Sequence, residues 1–307
     1  MNIPKDYLYK KKIKKFIKQK LANVYTELEN RKHKSSAPPT ILYFPFEKEK
    51  DSYLIAKSKT NHSVCEQGLP IPPKDLWLSY GDTEEEYLLG KENIEALLGI
   101  LDNSGFTLKE NHRVLDFGCG AGRMIRWLKP YSEKCEIWGT DISSEHIYWA
   151  KNYLKPPFNF ATTTTVPHLP FEDNYFDLIY AGSVFTHIDD LTDAWLLELR
   201  RIISKDGRIF ITIHDKHSIE LLNKFRVWRE SWITKYLNDS ALYQENKNDF
   251  NVFVGLRGPS SQVFYDIEYF CNSVKNIYEV LSVTQEVYGY QTGVLLKKNI
   301  KLNLTVS

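Results

Sequence analysis

The hydrophobic pattern changes character twice along the chain. Over residues 1–34, Ile13, Phe16, Ile17, Leu21, Val24 and Leu28 fall on one stripe at helical spacings, with lysines mostly between them. That pattern predicts an amphipathic helix. Residues 35–80 contain two proline clusters, SAPP and LPIPP, and little periodicity, and read as an extended connector or lid. From Asp82 on the pattern becomes regular. Asp82 or Thr83 can cap a helix carrying Leu88, Ile94, Leu97, Leu98 and Leu101. RVLD, EIWGT, FDLIYA and RIFITI then read as strands, alternating with helical runs in RMIRWLK, SEHIYWAKNYL and DAWLLELRRII. The strands are short and apolar throughout, as expected when helices cover both faces of a sheet. Strand–helix alternation predicts βαβ units and a mostly parallel α/β architecture.

The tail departs from that rhythm. VLSVTQEVYGYQTGVLLKK holds two β-rich runs joined at Gly289-Tyr290. There is no room for a crossover helix, so the two runs should form an antiparallel hairpin. The predicted organisation is a basic helix over 1–34, a connector or lid over 35–80, and a catalytic-type α/β domain over 81–307. Residues 216–279 stand between the last regular strand and the hairpin. No internal repeat is visible.

Composition narrows the class. The chain has 307 residues, 42% hydrophobic and 26% charged, ordinary for a globular protein with one α/β domain and an extension. No uninterrupted apolar run reaches the ~18 residues that span a bilayer. The start MNIPKDYLYKKKIKKFIK lacks an apolar stretch followed by a small-residue cleavage site, so no signal peptide is expected. Cys65, Cys119, Cys135 and Cys271 are far apart and form no C-x-x-C pair, which suggests neither a zinc site nor a disulfide framework. A reducing, cytoplasmic setting and no metal are the expectations.

The net charge of +1 hides an asymmetry. Residues 1–34 hold eleven Lys/Arg against three Asp/Glu, so the remainder of the chain is acidic. A general nucleic-acid binder would look different. A membrane surface or a protein partner would meet the basic helix first; the other reading is a helix packed on its own domain with a solvated lysine face.

The candidate chemistry centres on VLDFGCGAGRM, residues 114–124. Asp116 ends a strand, and Gly118, Gly120 and Gly122 follow at alternate positions. Glycines serve where the backbone turns tightly and a ligand approaches closely. Asp141 ends the next strand nineteen residues after Gly122, placed to accept hydrogen bonds from both hydroxyls of a ribose. A dinucleotide would set its pyrophosphate over the helix N-terminus, with a third glycine or alanine where this chain has Arg123. The acid at Asp116 would repel a pyrophosphate and favour a cationic ligand. S-adenosylmethionine, with its positively charged methionine portion, is therefore preferred to NAD.

These motifs resemble those of the class I S-adenosylmethionine-dependent methyltransferases, in the methyltransferase-domain group whose members act on small molecules, glycans or lipids. The similarity runs from about LPIPP (69–73) to the C-terminus and is dense from His112 to Asp215. It implies a Rossmann-like seven-stranded sheet, mostly parallel, with helices on both faces and a C-terminal antiparallel hairpin. It implies that the acidic glycine loop (Asp116, Phe117, Gly118, Cys119, Gly120, Gly122, Arg123) holds the methionine end of the cofactor, and that Asp141 and Ile142 hold the ribose side. LPFEDNYFDLIYAGSVFTHI (169–188) is similar to the family's segment around the fourth strand, and KDG replaces its more common PGG turn. Relatives often carry an acid for the adenine amino group where this chain has Thr165. A hydroxyl can accept a hydrogen bond there, and the Val166 amide can serve the ring.

Methyl transfer from a sulfonium needs alignment and exclusion of water, with a general base where the acceptor is a hydroxyl. Ligands of open α/β sheets bind beyond the carboxyl ends of the strands. Ser183 and His187 follow the fourth strand; His214 and Asp215 end the fifth. His214 is the expected base, Ser183 is expected to line the cofactor pocket, and His187 to stand at the wall between cofactor and acceptor. Trp77 and Tyr80 are placed on a proline-stiffened lid. Residues 216–279 resemble an acceptor-side insertion of some relatives, which makes Arg257, Gln262 and Tyr265 candidate substrate contacts. The other readings are a hydrogen bond to a neighbouring loop for His214, helix capping for Ser183, a structural place in the cofactor wall for His187, and packing for the connector and insertion residues. The expected activity is methyl transfer to a small-molecule, glycan or lipid acceptor, at oxygen. A nucleic-acid methyltransferase is disfavoured by the acidic body and by AGSV where an NPPY-like turn would stand. A non-catalytic module is disfavoured by the intact loop, and an NAD-linked oxidoreductase by Arg123 and the hairpin.

Overall fold

A computed structural model describes residues 43–45, 54–56, 63–78, 80–225 and 231–300; the helix expected over 1–34 lies outside them. The chain divides into two compact units, 1–57 and 58–307. In the first, β1 (Tyr43–Pro45) and β2 (Leu54–Ala56) pair antiparallel, with Tyr43 opposite Ala56.

The second unit starts earlier than the connector boundary drawn at residue 80. Cys65, Leu69, Ile71, Leu76 and Trp77 are all buried in its core. Thr83 caps α1 (Glu84–Leu88) through a capping box with Glu86, and α2 (Gly90–Asn103) follows, burying Ile94, Leu97 and Leu101. The strands are β3 (Arg113–Phe117), β4 (Glu136–Asp141), β5 (Asn159–Thr162), β6 (Phe176–Ala181), β7 (Ile203–Asp215), β8 (Val252–Gly255), β9 (Gln262–Tyr265), β10 (Tyr278–Tyr288) and β11 (Gln291–Lys298). The helices between them are α3 (Ser144–Tyr153), α4 (Thr192–Ile202), α5 (Lys216–Lys224), α6 (Trp232–Asp239), α7 (Ala241–Asn246) and α8 (Ile267–Val274).

Seven strands form the central sheet in the order β10-β11-β7-β6-β3-β4-β5. The five from β5 to β7 are parallel, and β11 runs antiparallel to both β7 and β10. The expected hairpin is present. Alternate residues of the strands feed two cores, as a doubly covered sheet requires. Val114, Leu178, Tyr180 and Phe210 face one layer; Leu115, Ile179, Ile209 and Ile211 face the other. Among the described residues no helix is long and apolar enough to cross a membrane.

Three departures from the sequence expectations have physical causes. RMIRWLK forms a 3-10 run, Ile125–Tyr131, rather than an α-helix. Pro130 lacks an N–H and would clash with the carbonyl of Arg126 in an α-helix. The KDG turn is absorbed into β7 as an irregularity: Phe176 pairs with Ile203, but Leu178 already pairs with Arg208. Finally, β8 and β9, not read as strands, form an antiparallel ribbon, and β9 extends the sheet by pairing with β7 only at His214 and Asp215.

Candidate functional site

The glycine loop joins β3 to the 3-10 run. Gly118, Gly120 and Gly122 all have positive φ, at 82°, 51° and 81°. A Cβ at Gly118 would collide with Val184 Cγ2, and one at Gly122 with Leu154 Cδ1. The loop is tied to β4: the amides of Gly118 and Cys119 donate to the Thr140 carbonyl at 2.8 and 3.0 Å. Asp141, next along β4, accepts from the Gly120 amide through Oδ2 at 2.8 Å and from the Ser143 amide through Oδ1 at 2.8 Å. Its carboxylate is thereby oriented by two backbone donors while each oxygen keeps a further lone pair.

Asp116 lies beneath the same loop, 2% exposed, with Oδ2 unpaired. Burial pushes its carboxyl up to about 8, against the Tyr180 hydroxyl and Arg123, with the Asp141 charge adding to the rise. Two carboxyls therefore sit at adjoining strand ends, and the buried one, Asp116, is strongly perturbed, a feature typical of functional sites.

The other predicted cofactor contacts divide into side chains that reach the surface and side chains that do not. Ile142 and Val166 are exposed apolar residues at the ends of β4 and β5, 61% and 62% accessible, and Thr165 is exposed beside them. The Val166 amide donates to Thr164 Oγ1 at 3.2 Å. Phe117 and Cys119 point inward: Phe117 packs on Trp195 with ring centroids 4.9 Å apart, and Cys119 Sγ lies under Gly139. Only their backbone can serve a ligand. Arg123 stacks on Tyr80 at 4.3 Å and reaches the Tyr288 hydroxyl at 3.0 Å.

Arg126, which the sequence reading passed over, is fully buried and pins the loop. Its guanidinium donates to the carbonyls of Gly122 and Pro70, both at 2.8 Å, and sits over the Tyr87 ring. The connector is fixed by the same neighbourhood. Trp77 is buried, stacked on Tyr87, with its N–H spent on the Pro72 carbonyl at 2.8 Å. Leu78 of the connector is exposed and in contact range of Gly120. Tyr80 joins Arg123, Tyr288 and, electrostatically, Tyr290.

The rim beyond β6 and β7 is held by a closed circuit. The Ser183 amide donates to Thr212 Oγ1 at 2.7 Å, Thr212 donates to Gln291 Oε1 at 2.6 Å, and the Gln291 amide returns to Ser183 Oγ at 2.9 Å. This circuit holds Ser183 at a positive φ of 58°, which costs a non-glycine residue about 1–3 kcal/mol. Thr212, Tyr288 and Gln291 went unnoticed in the sequence because their relevance depends on β11 lying beside β7.

His214 is 1% exposed, flanked by Phe264 and Tyr290 at 5.0 and 5.3 Å, and neither ring nitrogen has a partner among the described residues. Burial, and to a lesser degree His187, push its pKa down to about 3. His187 is exposed, and its Nδ1 donates to the Ser261 carbonyl at 2.8 Å, which fixes Nε2 as the basic nitrogen. Asp215 is consumed by capping α5 through Ser218 and by accepting from Thr292. Tyr265 and Arg257 are committed elsewhere. Tyr265 is 4% exposed, packed on Phe270 and bonded to Thr192 at 3.2 Å; Arg257 pairs at the surface with Asp190 at 2.9 Å. Gln262 is buried, 3.2 Å from His187.

Comparison with known proteins agrees with this geometry. The profile of the methyltransferase-domain family matches residues 115–211. MJ0638, an uncharacterised protein of Methanocaldococcus jannaschii, is 29% identical over 145 residues, 45% of this chain and 56% of that protein. The uncharacterised methyltransferase YcgJ of Bacillus subtilis is 29% identical over 123 residues, 38% and 46% of the two chains. The ubiquinone/menaquinone biosynthesis C-methyltransferase UbiE of Cupriavidus pinatubonensis is 28% identical over 109 residues, 34% and 44% of the two. The chain thus spans about half the length of the curated relatives it matches. PH0226 of Pyrococcus horikoshii OT3 shares the fold, with a TM-score of 0.52 at 23% identity, over 72% of this chain and 95% of that one. With the sheet order and the acid-flanked glycine loop in agreement with the family match, residues 115–211 of the chain form a methyltransferase domain.

Proposed function

We propose that this chain transfers a methyl group from S-adenosylmethionine to an oxygen of a small-molecule, glycan or lipid acceptor. The observation that carries the reading is the pair Asp116 and Asp141 at adjoining strand ends, bracketing three glycines of positive φ. The residues fit the cofactor. Asp116 offers an unpaired buried carboxyl oxygen to a cation, and the glycines leave open the space that a Cβ would fill. Asp141, held by two amides, would take the ribose hydroxyls. Ile142 and Val166 would flank the base, with Thr165 beside it.

When bound, the cofactor supplies an already activated methyl, so the protein's share of the work is alignment and exclusion of water. Thr140 holds the loop in register with β4, and Arg126 fastens it to the connector at Pro70. The Ser183–Thr212–Gln291 circuit fixes the floor between β6 and β7. Leu78 and Tyr80 stand where the connector meets the loop and Arg123. His214, neutral at working pH, holds an acceptor hydroxyl by a hydrogen bond; its depressed basicity suits that role better than storing a proton.

The test is incubation of the full chain with methyl-labelled S-adenosylmethionine and a metabolite extract, followed by mass detection of products heavier by one CH₂. Label on an oxygen supports the reading. Label on carbon alone would correct the atom, and absence of label from every fraction would overturn the activity.

A further inference from the structure

If the chain transfers methyl groups as proposed, its acceptor lies beyond the carboxyl ends of β6 and β7. At that place the protein buries polar atoms and leaves them unsatisfied. Both nitrogens of His214, Oε1 of Gln262 and Oγ of Ser261 have no partner among the described residues, and the three residues are 1%, 3% and 0% exposed. Buried polar atoms are nearly always paired, and an orphan costs about 1–3 kcal/mol. Four such atoms gather here on three residues.

The three residues share one corner, built by the β8–β9 ribbon. β9 pairs with β7 at His214, and the segment leading into β9 meets His187 through the Ser261 carbonyl at 2.8 Å and Gln262 Nε2 at 3.2 Å. Because His187 Nδ1 carries its proton, Gln262 bonds to it only with its amide turned over, Oε1 accepting, and the other end of the amide is left unspent in either orientation. Phe264 and Tyr290 cover the faces of the His214 ring, so its nitrogens can be met only at the ring edge.

Among the described residues, the charges around this corner are already taken. Lys216 pairs with Asp266 at 2.9 Å, Arg257 with Asp190, and Arg123 lies against Tyr80 and Tyr288. Asp215 is spent on Ser218 and Thr292. A carboxylate or phosphate brought here would be buried without a counter-charge, which is costly. A hydroxyl both donates and accepts, as do a neutral imidazole and a serine.

We infer that the corner formed by His214, Ser261 and Gln262 is the acceptor subsite, and that it recognises an uncharged ring compound carrying hydroxyl groups by hydrogen bonds alone. Such a ring could be a phenol or a sugar, and the two share this chemistry. The burial that keeps His214 neutral preserves one donor and one acceptor nitrogen across the working pH range. The inserted ribbon is thus a specificity element, since without β9 neither Ser261 nor Gln262 would reach the rim.

The experiment begins with calorimetric binding of S-adenosylhomocysteine to the full chain; no binding at this step would refute the methyltransferase reading itself. The loaded protein is then titrated with phenol, methyl glucoside, para-hydroxybenzoate and glucuronate while the histidine ring nitrogens are followed by NMR. The expected result is a shift of the His214 resonances with phenol or with the glycoside, absent with both anions and lost in Gln262→Leu. Which neutral compound responds distinguishes an aromatic acceptor from a sugar. A response to an anion, or to none of the four, overturns the inference. A second variant guards against a purely structural role. His214→Phe should keep S-adenosylhomocysteine affinity and raise Tm by a few degrees, because it removes orphaned polar atoms from the interior. A fall in Tm would mean that the nitrogens are satisfied within the fold, and would overturn the subsite.

Discussion

Asp116 ties protonation to both stability and ligand binding. Its carboxyl in the fold titrates near 8, against an ordinary value of 3.8, with burial as the main cause. The folded chain therefore holds this proton more tightly than the unfolded chain does. The resulting stability is fully present below 3.8 and is lost as pH rises through 8. His214 works in the opposite sense: its depressed pKa gives stability that is present above 6.5 and lost as pH falls through about 3. Of these two groups, only Asp116 titrates in the fold between 6.5 and 8. Thermal scans there should show stability falling by on the order of 1–2 kcal/mol, and Asp116→Asn should flatten the slope. A cation prefers the carboxylate, so S-adenosylmethionine should bind more tightly as pH rises over the same window, with proton release measurable by calorimetry in buffers of different ionisation enthalpy. Constant affinity and no proton release would separate Asp116 from the ligand.

Among the elements, the 3-10 run after the glycine loop shows how a side chain can replace a helix. In an α-helix the Gly122 carbonyl would accept from the Arg126 amide; here it accepts from the Arg126 guanidinium. The same side chain reaches the Pro70 carbonyl and so fastens the connector to the loop. Arg126→Met would strand both carbonyls in the interior and should cost about 2–4 kcal/mol in chemical denaturation, with loss of cofactor affinity in the remaining folded protein. Unchanged stability would show that water can take the place of the guanidinium. Pro130 in RMIRWLK could have warned against an α-helix, whereas the Arg126 partners are fifty-six and four residues away and are set only by folding. Likewise, the four-residue strands β8 and β9 carry too little period to stand out, and their meaning comes from pairing with β7 at two residues.

At the scale of the whole molecule, the alternation of apolar runs from Asp82 onward was enough to read the parallel sheet and its terminal hairpin, because both are local patterns. The loop glycines and the two acids were equally legible, since strand ends place them. The acceptor rim was not. Thr212, Gln291, Ser261 and Tyr288 come from four segments that only the topology brings together, while Trp77 and Tyr265 looked ligand-facing and are buried in packing. The basic stretch 1–34 lies outside the described residues. Its removal should leave cofactor affinity and Tm unchanged and weaken any association with anionic vesicles; a lost cofactor site would show that the stretch contributes to binding.

All of this rests on a cradle for a positively charged sulfur nucleoside between Asp116 and Asp141. Isothermal titration of S-adenosylmethionine into the wild-type chain and into Asp141→Ala tests it most directly. Saturable binding by the wild type, abolished in the variant while its circular dichroism and Tm hold, is the expected outcome. Equal affinity in the two proteins, or NAD binding where S-adenosylmethionine does not, would contradict it.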